Sequence, residues 1–176
     1  MADPHNPERY GETYSEEKIR LTEQALQPFK DLVILSGGWA WHYLSPVGHE
    51  ELKHAHDHKD VDMFIEPGQL WELIRDLKSE GFRKEKTRHD TNEFMRYVRT
   101  EEADGKPFKI VFDIFTRTRV PARRVQGYLV TEPEYLIGLY SDIHSSGNCF
   151  AVKAADELLK QGIDPEGREE LCQIPD

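Results

Sequence analysis

Two strand-like segments separated by a short polar stretch constrain the fold of this chain more than any other feature of its sequence. The segments EFMRYVRT and FKIVFDIF, at residues 93–100 and 108–115, are rich in β-branched and aromatic side chains, and EEADGKP separates them. Asp104-Gly105 favours a two-residue turn, because both positions of such a turn need a positive φ angle. The pattern predicts an antiparallel hairpin, so the domain is expected to contain a β-sheet.

The rest of the chain alternates helical and strand-like patterns. Two further strands are predicted in DLVIL and DVDMFIEP, and a short one in RRVQGYLV. Helices are predicted over 15–28, directly after Gly38, over 68–81, from a cap at Thr131, and over 148–162. This order predicts an α/β (α+β) fold, in which a mixed β-sheet is flanked by helices and followed by C-terminal helices.

The chain length of 176 residues indicates one domain. We expect a flexible N-terminal tail (1–14), a main α/β domain (15–130), a helical segment packed on it (131–162) and a C-terminal tail (163–176). The N-terminus lacks the pattern of a signal peptide, and no apolar run approaches the ~20 residues of a membrane span. Cys149 and Cys172 are interpreted as free thiols, so we expect a cytoplasmic protein.

The formal net charge of −10 disfavours a long nucleic acid as partner, because Lys and Arg side chains supply most of that affinity. A local basic patch can still bind a nucleotide. The arginines that follow the predicted hairpin are either a solvated loop or a substrate contact: Arg117, Arg119, Arg123 and Arg124.

Three aspartates are candidates for metal ligands. Asp60 and Asp62 project from the same side of a strand, ~6.6–7 Å apart at the backbone, and their repulsion requires solvent, a cation or a basic side chain. Asp113 lies among apolar residues in KIVFDIF, where a carboxylate is costly unless it is paired or binds a metal. The alternatives are solvated strand residues and a cluster that holds two Mg²⁺ ions.

The segment SGG, at residues 36–38, lies between a predicted strand and a predicted helix. Glycines there let the backbone approach a phosphate group, which the N–H groups of the helix N-terminus bind. The segment is neither a P-loop nor a dinucleotide-binding fingerprint. Ser36, Gly37 and Gly38 therefore form either a phosphate-binding turn or a purely structural one.

Together, GGWA at 37–40, HKDVD at 58–62 and the later Asp113 resemble the nucleotidyltransferase superfamily typified by DNA polymerase beta. The small aminoglycoside and lincosamide nucleotidyltransferases are the most similar branch. The resemblance spans roughly residues 32–115 and implies a nucleotidyltransferase-like fold.

The resemblance also implies a reaction. Residues 36–38 would hold the triphosphate of an NTP such as ATP, and Asp60 and Asp62 would bind Mg²⁺ or Mn²⁺ as two ions. Asp113 would complete the metal site and accept the proton of the acceptor hydroxyl. The NMP group would pass to a small-molecule acceptor, and pyrophosphate would leave.

Three further residues are implied in nucleotide binding. His58 would support the first aspartate or is merely a strand-entry residue. Arg96 would contact a phosphate or form a cross-strand ion pair. Lys153 would reach the nucleotide from a C-terminal helix.

Four histidines lie in the polar segment that leads into the aspartates of the predicted metal motif: His49, His54, His56 and His58. They are either ligands of a transition metal or solvated loop residues, and the polar surroundings favour solvated residues.

Two other functions stay open at this point. The same site could modify a protein or a tRNA, as toxin-like relatives do, or the chain could be an inactive nucleotide-binding module. The short C-terminal part also leaves the acceptor site incomplete unless a second subunit, as in a homodimer, completes it.

Overall fold

The computed structural model describes residues 11–45, 48–142, 146–162 and 171–173. The strands are β1 (Ile34–Ser36), β2 (Val61–Ile65), β3 (Arg83–Glu85), β4 (Phe94–Ala103), β5 (Lys106–Thr116), β6 (Pro121–Val125), β7 (Tyr128–Thr131) and β8 (Leu171–Gln173). The helices are α1 (Glu16–Leu26), α2 (Gly37–Leu44), α3 (Leu70–Ser79), α4 (Pro133–Asp142) and α5 (Ser146–Gln161).

The strands form one mixed sheet in the order β3-β4-β5-β2-β1-β7-β6-β8. At its centre β2 pairs antiparallel with β1 and parallel with β5, and β1 pairs parallel with β7. The predicted hairpin is confirmed as β4–β5, and its turn residues Asp104 and Gly105 have φ angles of 54° and 72°. The predicted fold class, a mixed sheet flanked by helices, is also confirmed.

A second hairpin occupies the segment in which the sequence predicted a single short strand. Gln126 and Gly127 have φ angles of 50° and 86° and reverse the chain between β6 and β7. The two short strands pair antiparallel, so RRVQGYLV contributes two strands to the sheet.

The predicted helix cap at Thr131 is wrong. Thr131 is the last residue of β7, and its hydroxyl donates a hydrogen bond to the carbonyl of Leu35 over 2.8 Å. Its side chain therefore joins β7 to the neighbouring strand, and α4 begins two residues later.

Parts of both predicted tails are paired with the domain. Leu171–Gln173 pairs antiparallel with β6 as the edge strand β8. Near the other terminus, the amide of His58 donates to the carbonyl of Glu12 over 2.7 Å. These described residues are held by backbone hydrogen bonds, which the polar composition of the tails did not indicate.

Helices α1, α2 and α5 contribute apolar side chains to the same hydrophobic core as the strands. Ser15 caps α1 as predicted, since its hydroxyl accepts a hydrogen bond from the amide of Lys18. Trp39 and Trp41 of α2 are fully buried, as is Leu158 of α5. Each large buried side chain contributes about 2–3 kcal/mol of apolar burial, which fixes α2 against the sheet. No described helix is both long and apolar enough to cross a lipid bilayer.

Candidate active site

A row of four polar residues crosses the middle of the sheet. Ser36 on β1 pairs with Asp62 on β2, and Asp62 pairs with Asp113 on β5. Asp113 pairs in turn with Arg96 on β4. Side chains of paired residues lie on the same face of a sheet, so the register alone brings these four groups into one line.

The structure brings the three predicted carboxylates together. Asp60, Asp62 and Asp113 each offer an oxygen atom, and these atoms all lie within 4.8 Å of one another. Asp113 is only 6% exposed. We call this group the carboxylate cluster.

Burial and mutual repulsion both disfavour the charged forms of these carboxylates. Burial raises the pKa of Asp60 to about 6 against the opposing effect of the Lys59 ammonium, and the charge of Asp113 adds to the rise. Burial and the charge of Asp60 hold the pKa of Asp62 well above its usual range. The cluster therefore binds protons or cations more readily than solvated aspartates do.

Arg96, which the sequence analysis named as a candidate phosphate contact, is paired with the carboxylate cluster. Its Nε and Nη2 atoms donate to the two oxygens of Asp113 over 2.7 Å each, and Nη2 lies 3.7 Å from Oδ2 of Asp60. Of the two roles considered for Arg96, the structure shows the cross-strand ion pair. The guanidinium compensates part of the negative charge.

Steric contacts explain why both residues at the start of α2 are glycines. Gly37 has a φ angle of 59°, and a Cβ atom there would overlap Oδ2 of Asp62. A Cβ atom on Gly38 would overlap the carbonyl oxygen of Asp57. The turn therefore packs directly on the carboxylate cluster on one side and on the backbone before β2 on the other.

A cavity of about 440 Å³ opens beside the turn and the cluster. Its volume is in the range of small-molecule sites. Its polar lining residues are Ser36, Gly37, Asp62, Glu93, Thr116 and Arg117, and its apolar ones are Phe64, Phe115, Leu139 and Tyr140.

The sequence analysis missed most of the residues that line this cavity. Phe64 and Phe115 each lie two positions after a cluster aspartate, so the period of a strand places them on the same face. Arg117 was considered only as part of a basic loop, and its Cζ atom lies 5.5 Å from the ring centroid of Phe64. Leu139 and Tyr140 come from α4, which no local pattern connects with the site.

Four residues predicted to bind the nucleotide lie outside the cavity lining: Gly38, His58, Arg96 and Lys153. Lys153 is exposed on α5. His58 is 1% exposed, and its carbonyl accepts a hydrogen bond from Nε1 of Trp39 over 3.3 Å. The structure brings neither the Lys153 nor the His58 side chain into the cavity.

The prediction of solvated histidines is wrong for part of the segment before β2. His56 is 0% exposed, and His58 is almost as deeply buried. Ring nitrogens of His42, His49 and His58 lie within 4.8 Å of one another, and we call these residues the histidine cluster. His42 was missed because it lies on α2 and not in the polar segment that contains the other histidines.

No family model matches the sequence, and no curated protein sequence matches it either. Three solved structures match the fold. JHP933 from Helicobacter pylori has a TM-score of 0.59 and 15% identity, over 85% of this chain and 70% of that one. A candidate nucleotidyltransferase from H. pylori has a TM-score of 0.52 and 16% identity, over 72% of this chain and 59% of that one.

The third structure is the lincosamide antibiotic adenylyltransferase LnuA with bound lincomycin, at a TM-score of 0.50 and 11% identity. The match covers 84% of this chain and 99% of LnuA. The chain has a nucleotidyltransferase-like fold. The fold expected from the GGWA and HKDVD motifs is thereby confirmed, and Asp62 and Asp113 lie on its central strands, with Asp60 directly before β2.

Proposed function

We propose that the protein is a Mg²⁺-dependent nucleotidyltransferase that transfers NMP from an NTP to a hydroxyl group of a small-molecule acceptor. The observation that carries the proposal is the meeting of three carboxylates beside a glycine turn, with Asp62 and Gly37 lining one cavity. The nucleotidyltransferase-like fold supports the reaction class.

The residues present fit a hard divalent cation. Asp60, Asp62 and Asp113 supply the oxygen ligands that Mg²⁺ and Mn²⁺ prefer. Burial raises the pKa values of Asp60 and Asp62 despite the nearby Arg96, so a bound cation would favour the charged forms of these carboxylates. Two Mg²⁺ ions bound there would neutralise phosphate charge and make the acceptor hydroxyl more acidic.

The turn at residues 36–38 would bind the triphosphate. The backbone N–H groups at the start of α2 carry the positive end of the helix dipole, which favours phosphate oxygens. Gly37 lines the cavity with Ser36, whose hydroxyl is available as a further donor. The turn would thereby hold the nucleotide with its phosphates next to Asp62.

In the transfer step the acceptor oxygen attacks the α-phosphorus, and an oxygen–phosphorus bond forms. The bond from this phosphorus to the oxygen bridging to the β-phosphate breaks, and pyrophosphate leaves with that electron pair. The acceptor proton passes to the carboxylate cluster. We do not assign it to Asp113 alone, because Arg96 donates hydrogen bonds to both of its oxygens.

The apolar side of the cavity, with Phe64 and Phe115, suits a nucleobase or the apolar part of an acceptor. LnuA is an adenylyltransferase whose structure contains an antibiotic, which favours ATP and a small acceptor here. The net charge of −10 also favours a neutral or cationic acceptor over a long nucleic acid.

The test is an assay of pyrophosphate release with Mg²⁺ and each labelled NTP, across a panel that includes lincosamides, aminoglycosides, tRNA and protein. We expect transfer to a small molecule, with loss of activity in Asp60→Ala and Asp62→Ala. Asp156→Ala changes an exposed aspartate on α5 and is the control.

Three results would contradict the proposal. Labelling of tRNA or protein alone would assign a different acceptor. Nucleotide binding without turnover on any acceptor would indicate an inactive binding module. Activity that survives both aspartate substitutions would remove the cluster from the reaction.

A further inference from the structure

The histidine cluster joins α2 to the connection that follows it. His42 lies on α2, whereas His49 and His58 lie in the connection between α2 and β2. Nδ1 of His42 is 3.1 Å from Nε2 of His58. The ring centroid of His49 is 4.3 Å from that of His42 and 4.9 Å from that of His58.

These separations fit ligands of one tetrahedral cation. Zinc–nitrogen bonds of ~2.0–2.1 Å place neighbouring ligand nitrogens ~3.3 Å apart. The 3.1 Å separation of the His42 and His58 nitrogens is close to that value. Imidazole nitrogen is a good ligand for Zn²⁺, Ni²⁺ and Cu²⁺ and a poor one for Mg²⁺.

A carboxylate lies behind one of the candidate ligands. Nε2 of His42, the nitrogen that faces away from His58, is 3.3 Å from Oε1 of Glu23. The hydroxyl of Tyr43 donates to the same oxygen over 3.2 Å and helps to hold the carboxylate. Metal-binding histidines commonly donate their second N–H to such a carboxylate, which orients the ring.

A fourth histidine borders the cluster. His56 is 0% exposed, and its ring centroid is 5.0 Å from that of His49. Neither ring nitrogen of His56 has a hydrogen-bond partner among the described residues. A buried imidazole without a protein partner requires an explanation, and a nearby cation provides one.

Without a cation, two of the histidines share a chain of hydrogen bonds. The amide of Tyr14 donates to Nδ1 of His58 over 3.2 Å, so the proton of the neutral ring is on Nε2 and points to His42. A cation at Nε2 requires this proton to move to Nδ1, and the Tyr14 amide then loses its acceptor. One long hydrogen bond is lost, whereas three metal–nitrogen bonds form.

We propose that His42, His49 and His58 form a binding site for one divalent transition-metal cation of the Zn²⁺ class, with His56 as a candidate fourth ligand. The cation would fasten the connection before β2 to α2. None of these histidines lines the cavity or belongs to the carboxylate cluster, so the histidine site does not depend on the proposed transfer reaction.

The experiment uses the full chain without a polyhistidine tag, stripped with a chelator and titrated with Zn²⁺ against a chromophoric competitor. We expect one tightly bound Zn²⁺ per chain, and visible absorption bands of tetrahedral Co²⁺ when Co²⁺ replaces it. His49→Ala should weaken binding at least about 100-fold, and Glu23→Gln about 10-fold. His89→Ala changes an exposed histidine and should bind as the unmodified chain does.

A second variant separates this site from the carboxylate cluster. Asp60→Asn with Asp62→Asn should keep the Zn²⁺ affinity within about twofold. Loss of Zn²⁺ binding in that double variant, or unchanged binding in His49→Ala, would overturn the proposal. The thermal transition of metal-free His49→Ala should match that of the metal-free unmodified chain, which shows that the variant folds.

Discussion

The carboxylate cluster and the histidine cluster have the same size and respond to burial in opposite ways. In both, three ligand atoms lie within 4.8 Å of one another. Burial raises the pKa of Asp62 but lowers the pKa of His58 to about 3, because burial disfavours whichever form is charged. Burial thus gives the histidine its neutral, metal-binding form and disfavours the charged, metal-binding form of the aspartate.

This difference explains why only one cluster needs a basic neighbour. The charges of the carboxylate cluster are partly compensated by Arg96, which lies between Asp113 and Asp60. Burial lowers the pKa of His49 and of His58 and so favours the neutral forms of these two imidazoles, which repel one another little. Hydrogen bonds to Tyr14 and Glu23 hold the cluster without a basic neighbour. The two clusters are therefore suited to cations of different chemistry.

Removal of one carboxylate should have the largest effect on activity of all the changes proposed here, and it should affect the carboxylate cluster without affecting the histidine cluster. We expect Asp62→Asn to lower kcat for nucleotidyl transfer about 100- to 1,000-fold, because a group that stabilises transferring charge is lost. The same change should raise the thermal midpoint at pH 7, since it removes a charge that burial disfavours. An enzyme assay measures the expected fall in kcat, and thermal denaturation measures the expected rise in the midpoint. A variant that loses both activity and stability would indicate a structural role instead.

Arg96→Gln tests whether the guanidinium compensates the carboxylate cluster. We expect the free energy of unfolding to fall by about 3 kcal/mol, because Asp113 is left buried without its partner. Added Mg²⁺ should restore part of that loss by supplying positive charge, and urea unfolding with and without Mg²⁺ measures it.

The control is Arg123→Gln, which breaks another two-bond ion pair, with Glu132. It should lower stability by a comparable amount that Mg²⁺ does not change. Equal recovery of both variants would show that the effect of Mg²⁺ is not local to the carboxylate cluster.

The two glycines before α2 allow each cluster to be disturbed separately. Gly37→Ala would push against Asp62, whereas Gly38→Ala would push against the backbone at Asp57, between two buried histidines. We expect each to cost about 2 kcal/mol, with nucleotide binding impaired more by the first and Zn²⁺ binding more by the second.

The control here is Gly105→Ala, at a position with a φ angle of 72° and open space around the Cβ site. It should cost only about 1 kcal/mol of backbone strain and leave both ligands bound. Urea unfolding and the two binding assays provide the comparison. A reversed pattern of ligand loss would contradict the placement of the glycines between the clusters.

The smallest predicted effect is the pH dependence of the stability of the metal-free protein. The pKa of Asp60 is raised to about 6 in the folded chain, so the folded state binds more protons than the unfolded state between about pH 4 and 6. Stability of the metal-free protein should therefore fall as pH rises through that window. Asp60→Asn should flatten the fall without abolishing it, because the pKa of Asp62 is also raised. An unchanged slope in Asp60→Asn would exclude this carboxylate as the source.

Local patterns predicted much of the carboxylate side of the molecule. The Asp-x-Asp spacing predicted that Asp60 and Asp62 lie together, and their oxygens do meet although β2 begins only at Val61. The Asp104-Gly105 pair was sufficient to predict the β4–β5 hairpin. The turn at Gly37 and Gly38 was predicted because these glycines lie between a predicted strand and a predicted helix. Each of these features depends on residues close in sequence, where backbone geometry is decisive.

The same patterns could not separate His58 from the aspartates that follow it. In HKDVD, His58, Asp60 and Asp62 are spaced two positions apart, so strict alternation along a strand would place all three side chains on the same face. In the structure β2 begins only at Val61, and the chain before it folds back on α2. The side chain of His58 therefore joins the histidine cluster and not the carboxylate cluster.

The sequence by itself determined the β4–β5 hairpin, much of the order of helices and strands, and which aspartates could share a cation, because these depend on local periodicity and turn chemistry. Only the tertiary structure decided the register that places Arg96 on Asp113 and the packing that brings His42 to His58. Pairing between distant strands and the path of an irregular connection depend on how the whole core is filled. That choice is made by burial over the entire domain, which no local segment encodes.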